Sequence, residues 1–134
     1  MKFMLDTDIC IDLIRLRAPG IIRHLERQAV GDVGVSSITM AELAFGAAKS
    51  REPERNQAAL EEFVAPLEIC PFDQQAAQSY GALRFELERK GASIGAFDTL
   101  IAGHARSIGV TLVTRNVREF SRVAGLKLGD WTGG

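Results

Sequence analysis

The chain has 134 residues, 46% of them hydrophobic and 25% charged, with a formal net charge of -1. A chain of this length buries roughly two-thirds of its unfolded surface, so a core forms without staples, and Cys10 and Cys70 are too few for a disulfide scaffold. The near-neutral balance excludes a globally basic nucleic-acid coat but not a local basic groove, and no apolar run reaches the ~18 residues of a membrane span.

From the N-terminus, residues 2–5 read as a short buried strand ending at Asp6, and residues 8–17 as a helix broken at Pro19-Gly20. Asp6, Asp8 and Asp12 interrupt any signal-peptide core. A helix over about 21–29 precedes a strand at 33–35. Ser36 or Ser37 can cap the next helix, which runs to about 49, and Pro53 fits the first turn of another over about 53–65. A strand at 67–70 stops at Pro71, followed by a long helix from about Asp73 to Lys90 and one over about 96–108, closed by Gly91 and Gly109. Residues 110–114 are the clearest buried strand, then a short helix near 117–122 and a last strand near 126–128. Trp131 onward reads as a tail. We therefore expect a single cytoplasmic α/β domain over residues 1–134. Its architecture is three-layer α/β/α, around a mainly parallel sheet of four to five short strands.

In such sheets ligands bind beyond the carboxyl ends of the strands, so carboxylates there carry most information. Asp6 follows the first strand; of Asp6 and Asp8 only one can cap the following helix, and we assign the cap to Asp8 and function to Asp6. Glu42 shares a helix face with Ile38, Ala41, Phe45 and Ala48 by spacing, and an inward carboxylate is costly unless paired or metal-bound. Asp98 heads the stripe Ile101, Ala102, Ala105, although an acid near a helix N-terminus is also favourable by itself. Asn116 and Glu119 follow the best strand, where Asn-x-x-Glu also reads as a capping box. Several carboxylates cannot share one rim unpaired. Oxygen-only donors suit Mg²⁺, with Mn²⁺ as a substitute, rather than zinc, and such a site suits phosphodiester hydrolysis. His24 and His104 read as surface or packing residues.

The segments Phe3–Asp8, Ile38–Gly46, Ile94–Ala105 and Leu112–Phe120 together resemble the PIN-domain ribonucleases, and more narrowly the VapC toxins of toxin–antitoxin pairs. The resemblance spans the chain and keeps the motif order. It implies a cytoplasmic, Mg²⁺-dependent endoribonuclease acting on RNA, with transfer RNA the expected class. A VapB-type antitoxin would inhibit it and alone would contact operator DNA. It also implies a homodimer and a larger assembly with antitoxin. Carried over by position, Asp6, Glu42 and Asp98 match the three core acids, with Asp6 and Asp98 as direct metal ligands and Glu42 acting through water. Asn116 and Glu119 match a more variable fourth motif, where an aspartate is common, which leaves the number of ions open. Thr7 is expected to orient Asp6 or its water, and Thr114 and Arg115 to orient substrate. Asp8 replaces the usual asparagine. Arg115, Arg118 and Arg122, and a second cluster of Lys49, Arg51 and Arg55, are candidates for phosphate contacts. The stripes Ile9, Leu13, Leu16 and Ile22, Leu25 suit core, dimer or antitoxin.

Two other readings compete with this one. Asp6-Thr7-Asp8 after a strand resembles the nucleophile–acid pair of haloacid-dehalogenase phosphatases, but Lys127 is badly placed for that class and Glu42 has no role. A non-catalytic interaction module predicts a broken acid set, whereas all three core acids are present.

Overall fold

Two adjacent residues of the first strand point to opposite sides of the sheet. Met4 enters a core with Leu83, Ile101, Ala102, Leu112 and Phe120, while Leu5 enters another with Ile9, Leu13, Val35, Leu60 and Val113. The period of two along a strand thus divides one apolar run between two cores, one per face. In a computed structural model describing residues 1–132, the strands are β1 (Phe3–Leu5), β2 (Val33–Ser36), β3 (Glu68–Cys70), β4 (Thr111–Val113) and β5 (Lys127–Gly129). They form a single sheet in the order β3-β2-β1-β4-β5, with every neighbouring pair parallel. The helices are α1 (Thr7–Ile14), α2 (Pro19–Glu26), α3 (Ser37–Ala48), α4 (Pro53–Val64), α5 (Gln74–Arg89), α6 (Ala96–Ile108) and α7 (Val117–Phe120). Helices α1 to α4 cover one face and α5 to α7 the other, so the expected three-layer α/β/α architecture holds. No helix among the described residues is long and apolar enough to cross a membrane.

Local chemistry sets the boundaries. Ser36 Oγ caps α3 at the Ile38 N–H, Asp73 caps α5 at Ala76, and Gly109 closes α6 at φ 70. Pro19 does not merely break a helix: it occupies the first turn of α2, where its missing N–H costs nothing. The first helix accordingly ends at Ile14 rather than near 17. It closes in a Schellman turn, with Leu16 N–H on the Leu13 carbonyl and Arg17 N–H on that of Asp12. Leu16 takes the position where glycine is usual, at φ 54, and its side chain leaves the predicted stripe, 76% exposed.

Trp131 is not part of a loose tail. It is buried, edge-on to Phe3 of the central strand and stacked on His24 of α2, where the indole joins the core of that face and removes much apolar surface from water. Gly133 and Gly134 lie outside the described residues.

Helices α5 and α6 meet closely at Gly103, where a Cβ would come within 2.9 Å of Tyr80 Cα. Backbone cannot yield as a side-chain tip can, so Gly103→Val is expected to destabilise the protein by about 2–3 kcal/mol through overpacking. Chemical denaturation would show the midpoint falling with an unchanged slope.

Candidate active site

The sheet order places β1 beside β4, and the chain leaves these strands in opposite directions, toward β2 and toward β5. That reversal opens a crevice beyond their carboxyl ends. The residues following the two strands, Asp6 and Thr114, stand at its floor.

Asp6 is buried, and one of its oxygens, Oδ1, accepts the Ile9 N–H at 2.8 Å. It is therefore the cap of α1, and assigning the cap to Asp8 is corrected. Only one residue separates β1 from α1, so position 6 alone can cap. Asp8 falls in the first turn and points to solvent. Burial pushes the Asp6 carboxyl up to about 6, with Asp8 adding repulsion; hydrogen bonds from Thr114 and Ile9 and the charge of Arg115 oppose the rise.

Asp98, half-buried in the first turn of α6, is pushed further, to about 7. Burial contributes most, then the charge of Glu119 and a hydrogen bond shared with it, then Asp6 and Asp8. Glu119 is held across the crevice by the Gly95 N–H at 3.3 Å and by the Asn116 side-chain amide. Asn116 does not cap α7 with its side chain, so the capping-box reading fails. Its N–H is instead turned onto Thr114 Oγ1 at 2.9 Å, which frees the side chain for Glu119.

Glu42 arrives from α3, but not on a buried apolar face. The buried residues of that helix are Thr39, Leu43 and Ala47, and Phe45 is 65% exposed. Glu42 lies half-buried beside the inward face and accepts a 2.6 Å hydrogen bond from Thr7 Oγ1, itself 3.2 Å from the buried Thr39 hydroxyl. Thr7 thus orients Glu42, not Asp6. Since Thr7 follows Asp6, this bond ties Glu42 to the same rim.

The basic residues divide. Arg115 Nε turns to Asp12 Oδ2 at 2.9 Å, Arg122 reaches the Ser93 carbonyl, Arg55 pairs with Glu52, and Lys49 covers the Phe45 ring. Arg118 and Arg51 are exposed. Both histidines pack rather than ligate: His24 lies against Trp131, and His104 is buried with Nδ1 2.8 Å from Ser36 Oγ. Burial pushes the His104 pKa down.

The sequence reading missed Asp12, a buried carboxylate that Arg115 and Arg17 both face. Its signal was present: Asp12 stands three residues after Ile9 and beside Leu13 on the buried face of α1.

Asp6, Asp98, Glu119 and Asp8 thus face one another electrostatically, with Glu42 joined through Thr7. Among the described residues no three His, Cys, Asp or Glu side chains converge into a closed metal cage. An open set of oxygen donors, two of them too crowded to ionise freely, fits a cation bound by few carboxylates and several waters, as Mg²⁺ prefers.

The arrangement has counterparts. The PIN domain family model matches residues 3–126. The tRNA(fMet)-specific endonuclease VapC of Shigella flexneri is 47% identical over 132 residues, covering 98% of this chain and 99% of that protein. Ribonuclease VapC2 of Rickettsia felis is 43% identical, covering 98% of both. The chain belongs to the PIN-domain family, among its VapC ribonucleases. Of solved structures, DNA-bound VapBC from Salmonella typhimurium superposes with a TM-score of 0.93 at 45% identity, covering 98% of both chains. VapBC2 of Rickettsia felis bound to a promoter DNA fragment gives 0.90 at 41% identity, covering 98% of this chain and 99% of that one. PIN-domain nucleases of this kind are divalent-metal dependent, in keeping with the oxygen-only donors at the crevice.

Proposed function

We propose that this chain is the toxin of a VapBC-type pair: a cytoplasmic, Mg²⁺-dependent endoribonuclease that cuts transfer RNA and is silenced by a VapB-type antitoxin. The observation that carries the reading is the gathering of Asp6, Asp98 and Glu119 at the β1/β4 crevice, with carboxyls at about 6 and 7. The names of the Shigella and Salmonella relatives, both tRNA(fMet)-specific endonucleases, favour initiator transfer RNA as substrate. Solved neighbours that are VapBC complexes bound to DNA support an antitoxin partner and operator DNA reached through it. Exposed Phe45 and Phe85 offer apolar surface for the homodimer and the larger assembly.

Asp6 and Asp98 would hold the ion, with Glu119 reaching it through water; when bound, the ion supplies a Lewis acid and charge neutralisation for phosphodiester hydrolysis. Asp6 is immobilised by the Ile9 N–H and by Thr114, so it keeps its place without bound substrate. Glu119 is braced by Gly95 and Asn116. Thr7 occupies Oε1 of Glu42, leaving Oε2 to orient the attacking water and accept its proton. Thr114 positions Asp6, and Arg115, beside it, lends positive charge to the approaching phosphate.

The test is incubation of antitoxin-free protein with total cellular RNA in Mg²⁺, beside an EDTA control and Asp6→Asn. Discrete fragments from wild type with metal alone, mapping to a transfer RNA, are expected. Intact RNA after incubation with folded, metal-loaded protein would overturn the reading.

A further inference from the structure

A second feature opens directly beside the crevice. A groove of about 720 Å³ runs between the end of α1, the start of α2 and the segment after β4. Its charged lining is Asp12, Arg17, Arg23 and Arg115. One carboxylate against three guanidinium groups leaves the groove positive, in a chain whose formal net charge is -1. Ala18, Pro19, Gly20, Ile21 and Thr132 complete the wall and add no acid.

The arginines are held in place yet stay exposed. Asp12 is buried and meets Arg115 at Nε, 2.9 Å from Oδ2, while the Arg115 side chain stays half exposed on the groove. Arg17 Nη2 lies 3.8 Å from the other oxygen of Asp12, a charge contact rather than a hydrogen bond. Both side chains are about half exposed, at 56% for Arg17 and 51% for Arg115. Arg17 is brought back over Asp12 by the Schellman turn at the end of α1, which keeps Leu16 at φ 54. A leucine held there costs energy that a glycine would not.

We propose that this groove binds the phosphodiester backbone of the RNA substrate outside the scissile bond, with Arg17 and Arg23 contacting phosphates and Arg115 joining the groove to the crevice. This deepens the ribonuclease reading and rests on it. Guanidinium forks match phosphate oxygens in geometry as well as charge. Continuity favours a polynucleotide, because Arg115 lines the groove and directly follows Thr114, which stands with Asp6 at the floor of the crevice. A chain whose reacting phosphate sits in the crevice therefore has its neighbouring phosphates within the reach of these side chains. An acidic peptide is the competing occupant, and the test separates the two.

Wild type, Arg17→Gln/Arg23→Gln and, as a milder change, Arg23→Gln alone would be assayed on a fluorescein-labelled transfer RNA transcript. KM, kcat and binding anisotropy would be followed across a range of KCl concentrations, and affinity for purified antitoxin measured in parallel. Both arginines are exposed, so folding is expected to be intact by circular dichroism. For the double variant KM should rise about 10- to 50-fold with kcat nearly unchanged, as befits lost uniform binding. Its log–log salt slope should flatten by about 1.5, given roughly 0.7–0.9 per phosphate contact. The single variant should show about half the change in slope. An unchanged KM and slope in a cleaving enzyme would overturn the groove and leave the ribonuclease reading standing. So would a loss of antitoxin affinity with RNA binding intact, or a loss in kcat alone. Failure of wild type itself to bind and cut RNA would instead sink the ribonuclease reading.

Discussion

Asp98→Asn is expected to abolish RNA cleavage while making the metal-free protein more stable. The two effects share a cause. The Asp98 carboxyl is pushed to about 7 by burial and by Glu119, Asp6 and Asp8, so ionising it at neutral pH is unfavourable without a cation. Asparagine keeps the shape, carries no charge and can donate to Glu119. Because Asp98 is half exposed, solvent screening limits the gain to about 1 kcal/mol, which is roughly 3–5 °C in Tm for a chain of this size. Removing a metal ligand forfeits several kcal/mol of transition-state stabilisation, which corresponds to a loss of at least about 10³-fold in kcat/KM. Thermal melts at pH 7.5 in EDTA, paired with cleavage assays in Mg²⁺, check both. A variant that melted lower than wild type in EDTA would show that Asp98 is a structural carboxylate, and one that still cut RNA would remove it from the site.

Stability of the metal-free protein should fall as pH rises from 5 to 8, the reverse of ordinary carboxylate behaviour. A folded-state pKa raised above the unfolded value means that the native protein binds more protons. Asp6, raised from 3.8 to about 6, and Asp98, raised to about 7, therefore add stability that is complete below about pH 4 and lost as pH climbs through those values. For the well-buried Asp6 the whole loss is about 3 kcal/mol, of which about 1.4 kcal/mol falls between pH 5 and 8, roughly 5 °C in Tm; Asp98 adds a smaller, screened part. Saturating Mg²⁺ should reverse the trend, restoring about 2.7 kcal/mol at a hundred times its Kd, and should do little at pH 5, where the ligands hold protons. Differential scanning fluorimetry over pH 5–8 with EDTA or MgCl₂ reads this directly. A Tm that stays flat or climbs with pH in EDTA would show that these carboxylates ionise freely and do not need a cation.

Much of the fold was legible because its signals are local. The buried run at Thr111–Val113, the caps Ser36 and Asp73, and Pro53 and Gly109 mark their own elements, and strands alternating with helices admit few topologies. What failed depended on tertiary partners. Trp131 is buried only because Phe3 and His24 meet it from distant parts of the chain. Helix α3 is apolar almost all round, with Ile38, Met40, Leu43, Phe45 and several alanines. Periodicity therefore cannot choose its inner face, and Glu42 belongs to the site through Thr7 rather than through burial.

The acids were legible as a set because each stands near the end of a strand or in the first turns of a helix. Their division of labour was not. Asp6 both caps α1 and lines the crevice, a double role that assigning one carboxylate to one task excludes. Arg115 looked free in sequence, yet half of its duty is to Asp12, a partner more than a hundred residues away.

The strand order has a consequence for the life of the polypeptide. Because β1 completes its pairing only with β4, the first acid of the crevice must wait for almost the whole chain to be synthesised before Thr114 and Glu119 join it. An interrupted or prematurely terminated product carries Asp6 and Glu42 but no crevice. For a ribonuclease built this way, fragments are then inert, and activity appears only once the last strands have paired.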